Sequence, residues 1–115
     1  MPRFVILTHD HPLLHWDFLL ECDAALRTWR LMKSPDSSGS ISAEALPDHR
    51  LHYLDYEGPV GNGRGEVRQW DRGDYATVEE SPSRVEVRLA GNQLIGTAVL
   101  QVDVASNWTF YFSAD

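Results

Sequence analysis

Residues Thr8–Glu21 read THDHPLLHWDFLLE, and this stretch carries the pattern from which the fold is predicted. From His15 onward the side chains alternate between two faces, as in a β-strand, so that His15 and Asp17 share one face and the apolar Phe18 lies on the other. Proline turns the chain just before this strand. A short apolar strand that ends at His9 is therefore expected to lie beside it.

The same stretch predicts a metal site. It holds three of the five histidines in the chain and three carboxylates. His15 and Asp17 are two residues apart and project to the same side of the strand, and a turn at Pro12 could fold His9 back beside them. Two imidazoles and one carboxylate can hold a divalent ion with positions left for water or substrate. A solvated or hydrogen-bonded polar strand face is the alternative for the same residues, and a non-haem iron oxygenase triad is another.

The remainder of the chain indicates a mainly β protein with at most one short helix. Apolar and polar residues alternate in short runs, and glycine-containing turns separate these runs. This pattern favours a small antiparallel β-barrel or a sandwich. The predicted strands are Arg3–Thr8, His15–Cys22, Leu26–Met32, Glu66–Trp70, Tyr75–Val78, Arg84–Leu89, Gln93–Val102 and Asn107–Phe112.

Three connecting segments receive their own predictions. Ile41–Leu46 is expected to form a single helical turn, and Asp71–Asp74 is expected to form the turn of a hairpin. Asp48–Gly58, if extended, would place His49 and Tyr53 on a common face.

Length and composition indicate one domain over residues 1–115. The hydrophobic fraction of 43% argues against disorder. A net charge of −7 argues against broad non-specific attraction to nucleic acid. The single cysteine, Cys22, falls on the apolar face of its strand and is expected to be buried and reduced. No secretory signal or membrane-length apolar run is present, so a cytoplasmic monomer is expected.

Several separated strings resemble the 3′-phosphoesterase domain of bacterial DNA ligase D, a family that also occurs as a free-standing protein. Leu14–Glu21 resembles its metal motif, and Asp48–Tyr53 resembles its Asp-His-Pro-Leu-x-Tyr string. Further strings that resemble the family are Arg3-Phe4-Val5, Trp29 with Lys33-Ser34-Pro35, Tyr56-Glu57-Gly58, Trp70-Asp71-Arg72-Gly73, the segment from Gly91 to Gly96, and Trp108.

The resemblance implies a small β-barrel that trims the 3′ ends of nucleic acid with a divalent metal. Manganese is the expected ion, with zinc or cobalt as alternatives. The family removes a terminal ribonucleoside and then the remaining 3′-phosphate. Carried over, the resemblance makes His9, His15 and Asp17 the metal ligands and makes His49 and Tyr53 the catalytic residues that meet the phosphate. The implied partners are nucleic-acid 3′ ends and a separate ligase or end-joining factor.

The chain departs from the family pattern in several places. Where the family motif has Asp-Phe-Arg-Leu-Glu, this chain has leucine at position 19, so an arginine that would bind phosphate is missing. The family's longer N-terminal arm is also expected to be missing, Pro47 stands where the family usually has an acidic residue, and the glycine loop after Gly58 is shortened. Arg50, Arg64 or Arg68 could supply the lost charge. The alternative function is therefore a catalytically impaired relative that binds nucleic-acid ends or another protein.

Overall fold

The computed structural model describes residues Met1–Asp115 and contains nine antiparallel strands and no α-helix. Its one helical segment is a 3₁₀ turn of four residues, Leu51–Leu54, which is too short to span a membrane. The strands are β1 Arg3–His9, β2 His15–Cys22, β3 Ala25–Leu31, β4 Ile41–His49, β5 Gly58–Pro59, β6 Glu66–Ser81, β7 Arg84–Gly91, β8 Ile95–Val102 and β9 Trp108–Ala114.

Eight of these strands close into a barrel. Their order is β1-β2-β3-β4-β9-β8-β7-β6, and β6 pairs back with β1. The two-residue β5 pairs with β6 outside this ring. Closure leaves no long strand edge unpaired. The predicted small antiparallel barrel with at most one short helix is confirmed.

The barrel interior is filled by one apolar cluster that draws on every strand of the ring. On β2, Phe18 and Leu20 point into it, as the alternation predicted. On β7, Val85, Val87 and Leu89 do the same. The buried members of the cluster are Phe4, Ile6, Phe18, Leu20, Trp29, Leu31, Ile41, Tyr75, Val85, Val87, Leu89, Leu94, Ala98, Leu100 and Phe110.

A second, smaller apolar cluster lies on the outer face of β1, β2 and β3. It is covered by the segment that contains the 3₁₀ turn, and its buried members are Val5, Leu7, Leu19, Leu26, Leu54 and Val67. Leu19, where the family motif has arginine, is fully buried here. On this outer face, the apolar cluster therefore packs next to the polar residues His15 and Asp17 of β2.

Ile41–Leu46 was expected to form a helical turn, and this prediction is wrong. The segment belongs to β4, where Ala43 pairs with Leu31 of β3 on one side and with Trp108 of β9 on the other. Backbone hydrogen bonds to two neighbouring strands outweigh the weak local helical preference of such a short segment. This pairing is needed to close the barrel.

The prediction of a hairpin turn at Asp71–Asp74 is also wrong. These residues lie within β6, a single continuous strand of sixteen residues. The carboxylate of Asp71 is 3% exposed and accepts backbone N–H groups from Asn92, Gln93 and Leu94 in the β7–β8 turn, as well as from the next residue along β6. Gly73 lies directly against β7, where a side chain would collide with the Ala90 carbonyl. The polar and glycine residues of this segment therefore make contacts with β7 and with the β7–β8 turn, and they do not form a turn of their own.

Cys22 differs from its prediction as well. It is the last residue of β2 and is exposed. The chain then turns through Asp23 and Ala24 into β3, whose first residue, Ala25, pairs with Cys22. Alternation placed the thiol on the inner face, but at the end of the strand the barrel no longer covers that face.

Candidate metal centre

His9, His15 and Asp17 come together at one end of the β1–β2 hairpin. His9 is the last residue of β1, His15 is the first residue of β2, and the two are directly opposite each other in the antiparallel ladder. Asp17 lies two residues further along β2, on the outer face of the barrel. One potential ligand atom from each residue lies within 4.8 Å of the others. The fold therefore assembles all three predicted metal ligands.

Backbone carbonyls fix the orientation of both imidazole rings. Nδ1 of His15 donates to the Leu13 carbonyl at 2.9 Å, and Nε2 of His9 donates to the Arg64 carbonyl at 2.8 Å. A carbonyl can only accept, so these nitrogens carry the protons of the neutral rings. Nε2 of His15 and Nδ1 of His9 are then left with free lone pairs, which lie 3.2 and 3.9 Å from the Asp17 carboxylate. Metal-bound histidines are commonly oriented in this way.

The pair formed by His15 and Asp17 is buried and lacks other partners. Their side chains are 3% and 5% exposed, and neither His15 Nε2 nor Asp17 Oδ1 has another hydrogen-bond partner. Burial lowers the pKa of His15, but the Asp17 carboxylate and the Leu13 carbonyl outweigh burial, so that the pKa is raised above its ordinary value. An extra proton or a cation is needed between these two acceptors. The residues therefore fit a divalent ion.

A turn on the far side of His9 holds the site's entrance in place. Asp10 accepts the backbone N–H of Glu66 at 2.9 Å, which ties the end of β1 to β6. Gly65 has a φ of +74°, and a side chain there would collide with Asp10 and with His11. Glycine at this position permits the close approach that brings the Arg64 carbonyl to His9.

His9 and Asp17 line a cavity of about 390 Å³ on the outer face of the barrel, and the buried His15 lies behind them. One wall is formed by the outer faces of β1, β2 and β3, and the other by the segment from β4 to β6. The lining residues are Leu7, His9, His11, Pro12, Asp17, Arg30, Leu46, Pro47, Asp48, His49, Tyr53, Val60, Arg64 and Val67. A volume of this size is in the range of pockets that bind small ligands.

His49 and Tyr53 both line this cavity, although the predicted extended segment is wrong. His49 ends β4, and Tyr53 lies in the 3₁₀ turn, where the chain folds back so that their rings lie 5.9 Å apart. Nδ1 of His49 donates to the Pro47 carbonyl at 3.0 Å, which leaves Nε2 available. His52 does not line the cavity and packs against Tyr53 with ring centroids 4.1 Å apart.

The arginines that line the cavity are only partly those expected to replace the missing family arginine. Of the three proposed substitutes for the missing family arginine, Arg64 lines the cavity, whereas Arg50 and Arg68 do not. Arg30, which the sequence analysis did not single out, does line it. The signal was present in the sequence, because Arg30 alternates with the buried Trp29 on β3. Only the strand register, which pairs Arg30 with Asp17, shows that it reaches this site.

Comparison with known proteins identifies related sequences. A family model described as the DNA ligase D 3′-phosphoesterase domain matches residues 7–102. The multifunctional non-homologous end joining protein LigD of Pseudomonas aeruginosa is 35% identical over 89 residues, which cover 73% of this chain and 11% of that protein. The multifunctional non-homologous end joining DNA repair protein LigD of Mycobacterium tuberculosis is 33% identical over 114 residues, which cover 91% of this chain and 15% of that protein. The chain therefore spans only a small part of the length of these relatives.

Proposed function

The chain belongs to the DNA ligase D 3′-phosphoesterase domain family, and from that premise we propose that it is a metal-dependent phosphoesterase that trims the 3′ ends of DNA or RNA. The family supports a role in end processing during non-homologous end joining. Manganese is the proposed ion, and zinc or cobalt would also suit imidazole and carboxylate ligands. The proposed partners are nucleic-acid 3′ ends and a separate ligase or end-joining factor.

One observation carries this proposal: two imidazole nitrogens and a carboxylate converge with free lone pairs, and two of the three residues, His9 and Asp17, line the cavity. His9, His15 and Asp17 would hold the ion. When bound, a divalent ion polarises a phosphoryl oxygen and lowers the pKa of a coordinated water. Because His9 and Asp17 line the cavity while His15 is buried behind them, an ion held by these residues would be reached by substrate from the cavity side.

His49 and Tyr53 are proposed to act on the phosphate from the opposite wall. The Pro47 carbonyl holds the His49 ring with Nε2 free, so that a protonated ring could donate to a phosphate oxygen or to the leaving oxygen. Tyr53 would orient the phosphate through its hydroxyl. Both side chains are placed by the end of β4 and the 3₁₀ turn, which pack against the barrel through Leu54.

The second candidate is a module that binds ends without turnover. The observation that favours it is Leu19, which is buried in the outer apolar cluster and offers the phosphate no charge. The two candidates differ in whether bound 3′-phosphate is released.

The test uses two oligonucleotides, one ending in a 3′-phosphate and one ending in a single ribonucleotide. We expect release of phosphate and of the terminal nucleoside with Mn²⁺, and loss of at least about 100-fold in rate for His15→Ala and Asp17→Ala. Asp74→Asn, which removes an exposed carboxylate on β6 away from the cavity, is the matched control and should retain the wild-type rate.

The two candidates give different outcomes in this assay. Absence of phosphate release with Mn²⁺, Zn²⁺ and Co²⁺ from a folded protein that still binds the 3′-phosphorylated strand would refute catalysis and establish the binding module. Equal rates for the wild type and Asp17→Ala would refute the assignment of the metal ligands.

A further inference from the structure

We propose that Arg30 binds the terminal 3′-phosphate directly and thereby sets the preference of this site for phosphorylated ends. This inference rests on the proposed function for the identity of the ligand, a phosphate at the end of a nucleic-acid strand. It concerns recognition and not turnover, so it can be tested whether or not the protein hydrolyses the phosphate.

The position of Arg30 follows from the strand register. It lies in the middle of β3 and pairs directly with Asp17 of β2, so the two side chains project from the same outer face of the barrel. Both line the cavity. A guanidinium at this position lies beside the proposed metal ligands, where a phosphate held by the ion would present its remaining oxygens.

The guanidinium of Arg30 is weakly engaged by the protein. Its only ion pair is with Glu44 on β4, at the long distance of 3.8 Å, and that side chain is 63% exposed. Arg30 Nε is buried and has no hydrogen-bond partner. A buried donor without a partner is costly. The side chain is nonetheless 31% exposed and its terminal nitrogens make no hydrogen bond, so they are available to a phosphate in the cavity, and the fork geometry of arginine suits two phosphate oxygens.

Arg64, the other arginine on the cavity wall, is less suited to this role. Its Nε already donates to the Gly61 carbonyl, and it lies in the glycine-rich loop between β5 and β6. Arg30 is held on a strand with hydrogen-bonded neighbours on both sides. A binding group on a rigid strand is positioned more precisely than one on a loop.

The buried Leu19 makes the role of Arg30 more specific to this chain. Leu19 lies two residues beyond Asp17 on β2 and pairs with Thr28, while Arg30 lies beside Asp17 on β3. Both positions flank Asp17 on the same face. With leucine at position 19 packed into the outer cluster, Arg30 is the strand-borne cation closest to the predicted ligands in the ladder.

The experiment measures the binding of metal-free protein to two labelled single strands of equal sequence, one with a 3′-phosphate and one with a 3′-hydroxyl, by fluorescence anisotropy. The wild type should prefer the phosphate, and Arg30→Gln should reduce that preference about tenfold or more. Arg68→Gln is the matched control, since it removes the same charge from outside the cavity and should leave the preference unchanged.

Each outcome decides the proposal. Loss of the preference in Arg30→Gln alone supports it, even if the wild type releases no phosphate and the proposed catalysis fails. Three results would overturn the proposal: equal binding of both ends by the wild type, an unchanged preference in Arg30→Gln, or an equal loss of preference in Arg68→Gln. If the wild type still releases phosphate in that case, the proposed function stands although this inference fails. If Arg30→Gln does not fold, Arg30→Met decides: it keeps the apolar stem without the charge, and a fully retained preference overturns the proposal.

Discussion

Replacing Asp17 with asparagine should change stability in opposite directions with and without metal. In the neutral metal-free site, Nε2 of His15 faces Oδ1 of Asp17 at 3.2 Å, and both atoms are buried acceptors with no other partner. The amide nitrogen of asparagine could donate to Nε2 in the same space and satisfy both groups. Asp17→Asn should therefore stabilise the metal-free protein at alkaline pH and remove its stabilisation by Mn²⁺.

The magnitudes follow from the burial of this pair and the length of the chain. Relieving an unsatisfied buried polar group contributes about 1–3 kcal/mol. With an unfolding entropy of about 2.1 cal/mol/K per residue, 115 residues give roughly 0.24 kcal/mol/K, so 1 kcal/mol shifts Tm by about 4 °C. We expect Asp17→Asn to raise the metal-free Tm by about 4–12 °C at pH 9. Mn²⁺ at 100 times its Kd should raise the wild-type Tm by about 11 °C.

The pH dependence of the metal-free proteins has a defined sign. Because the folded-state pKa of His15 is raised, the attraction between protonated His15 and Asp17 contributes its full stability below the ordinary histidine pKa and is lost as the pH rises through the raised value. The wild type should therefore gain stability relative to Asp17→Asn as the pH falls from 9 to 6. Thermal unfolding followed by circular dichroism, with EDTA or Mn²⁺, measures all of these differences.

A control variant lies on the opposite wall of the same cavity. Asp48→Asn removes a cavity carboxylate that is not one of the three converging residues, so it should keep the wild-type response to Mn²⁺. The reasoning would be refuted by an Asp17→Asn protein that retains the full Mn²⁺ shift. It would be refuted equally by one whose metal-free Tm falls at pH 9.

Two further substitutions test the parts of the fold that support the site. Gly65→Ala should lower both Tm and Mn²⁺ affinity more than Gly39→Ala does. The two glycines have similar φ values of +74° and +75°, but only a side chain at position 65 would meet Asp10. Thermal unfolding and calorimetric titration with Mn²⁺ measure the two losses, and equal losses in both variants would contradict this account. Asp71→Asn should lower the free energy of unfolding by about 3 kcal/mol or more, because the amide cannot accept all four backbone N–H groups that the carboxylate accepts. Urea titration measures this loss, and a loss below about 1 kcal/mol would contradict the account.

The convergence of the three candidate ligands was predictable because they are local in sequence. His9, His15 and Asp17 fall within nine residues, and a hairpin between two alternating strands allows few arrangements of their side chains. The placements of His49 and Tyr53 at the site were expected from family resemblance, although the backbone between them is a 3₁₀ turn and not an extended segment. A short segment rich in polar residues has no clear hydrophobic periodicity, so its local sequence could not distinguish a 3₁₀ turn from an extended segment.

By itself the sequence determined the β class, most of the strands and the three residues that converge at the candidate metal centre, since alternation and turn chemistry act over a few residues. Only the tertiary structure decided that Ile41–Leu46 is a strand, that β6 runs through Asp71, and that Arg30 lies beside Asp17. The reason is physical: the backbone hydrogen bonds that close a barrel, and the register that sets which side chains meet, depend on partners far away in the chain.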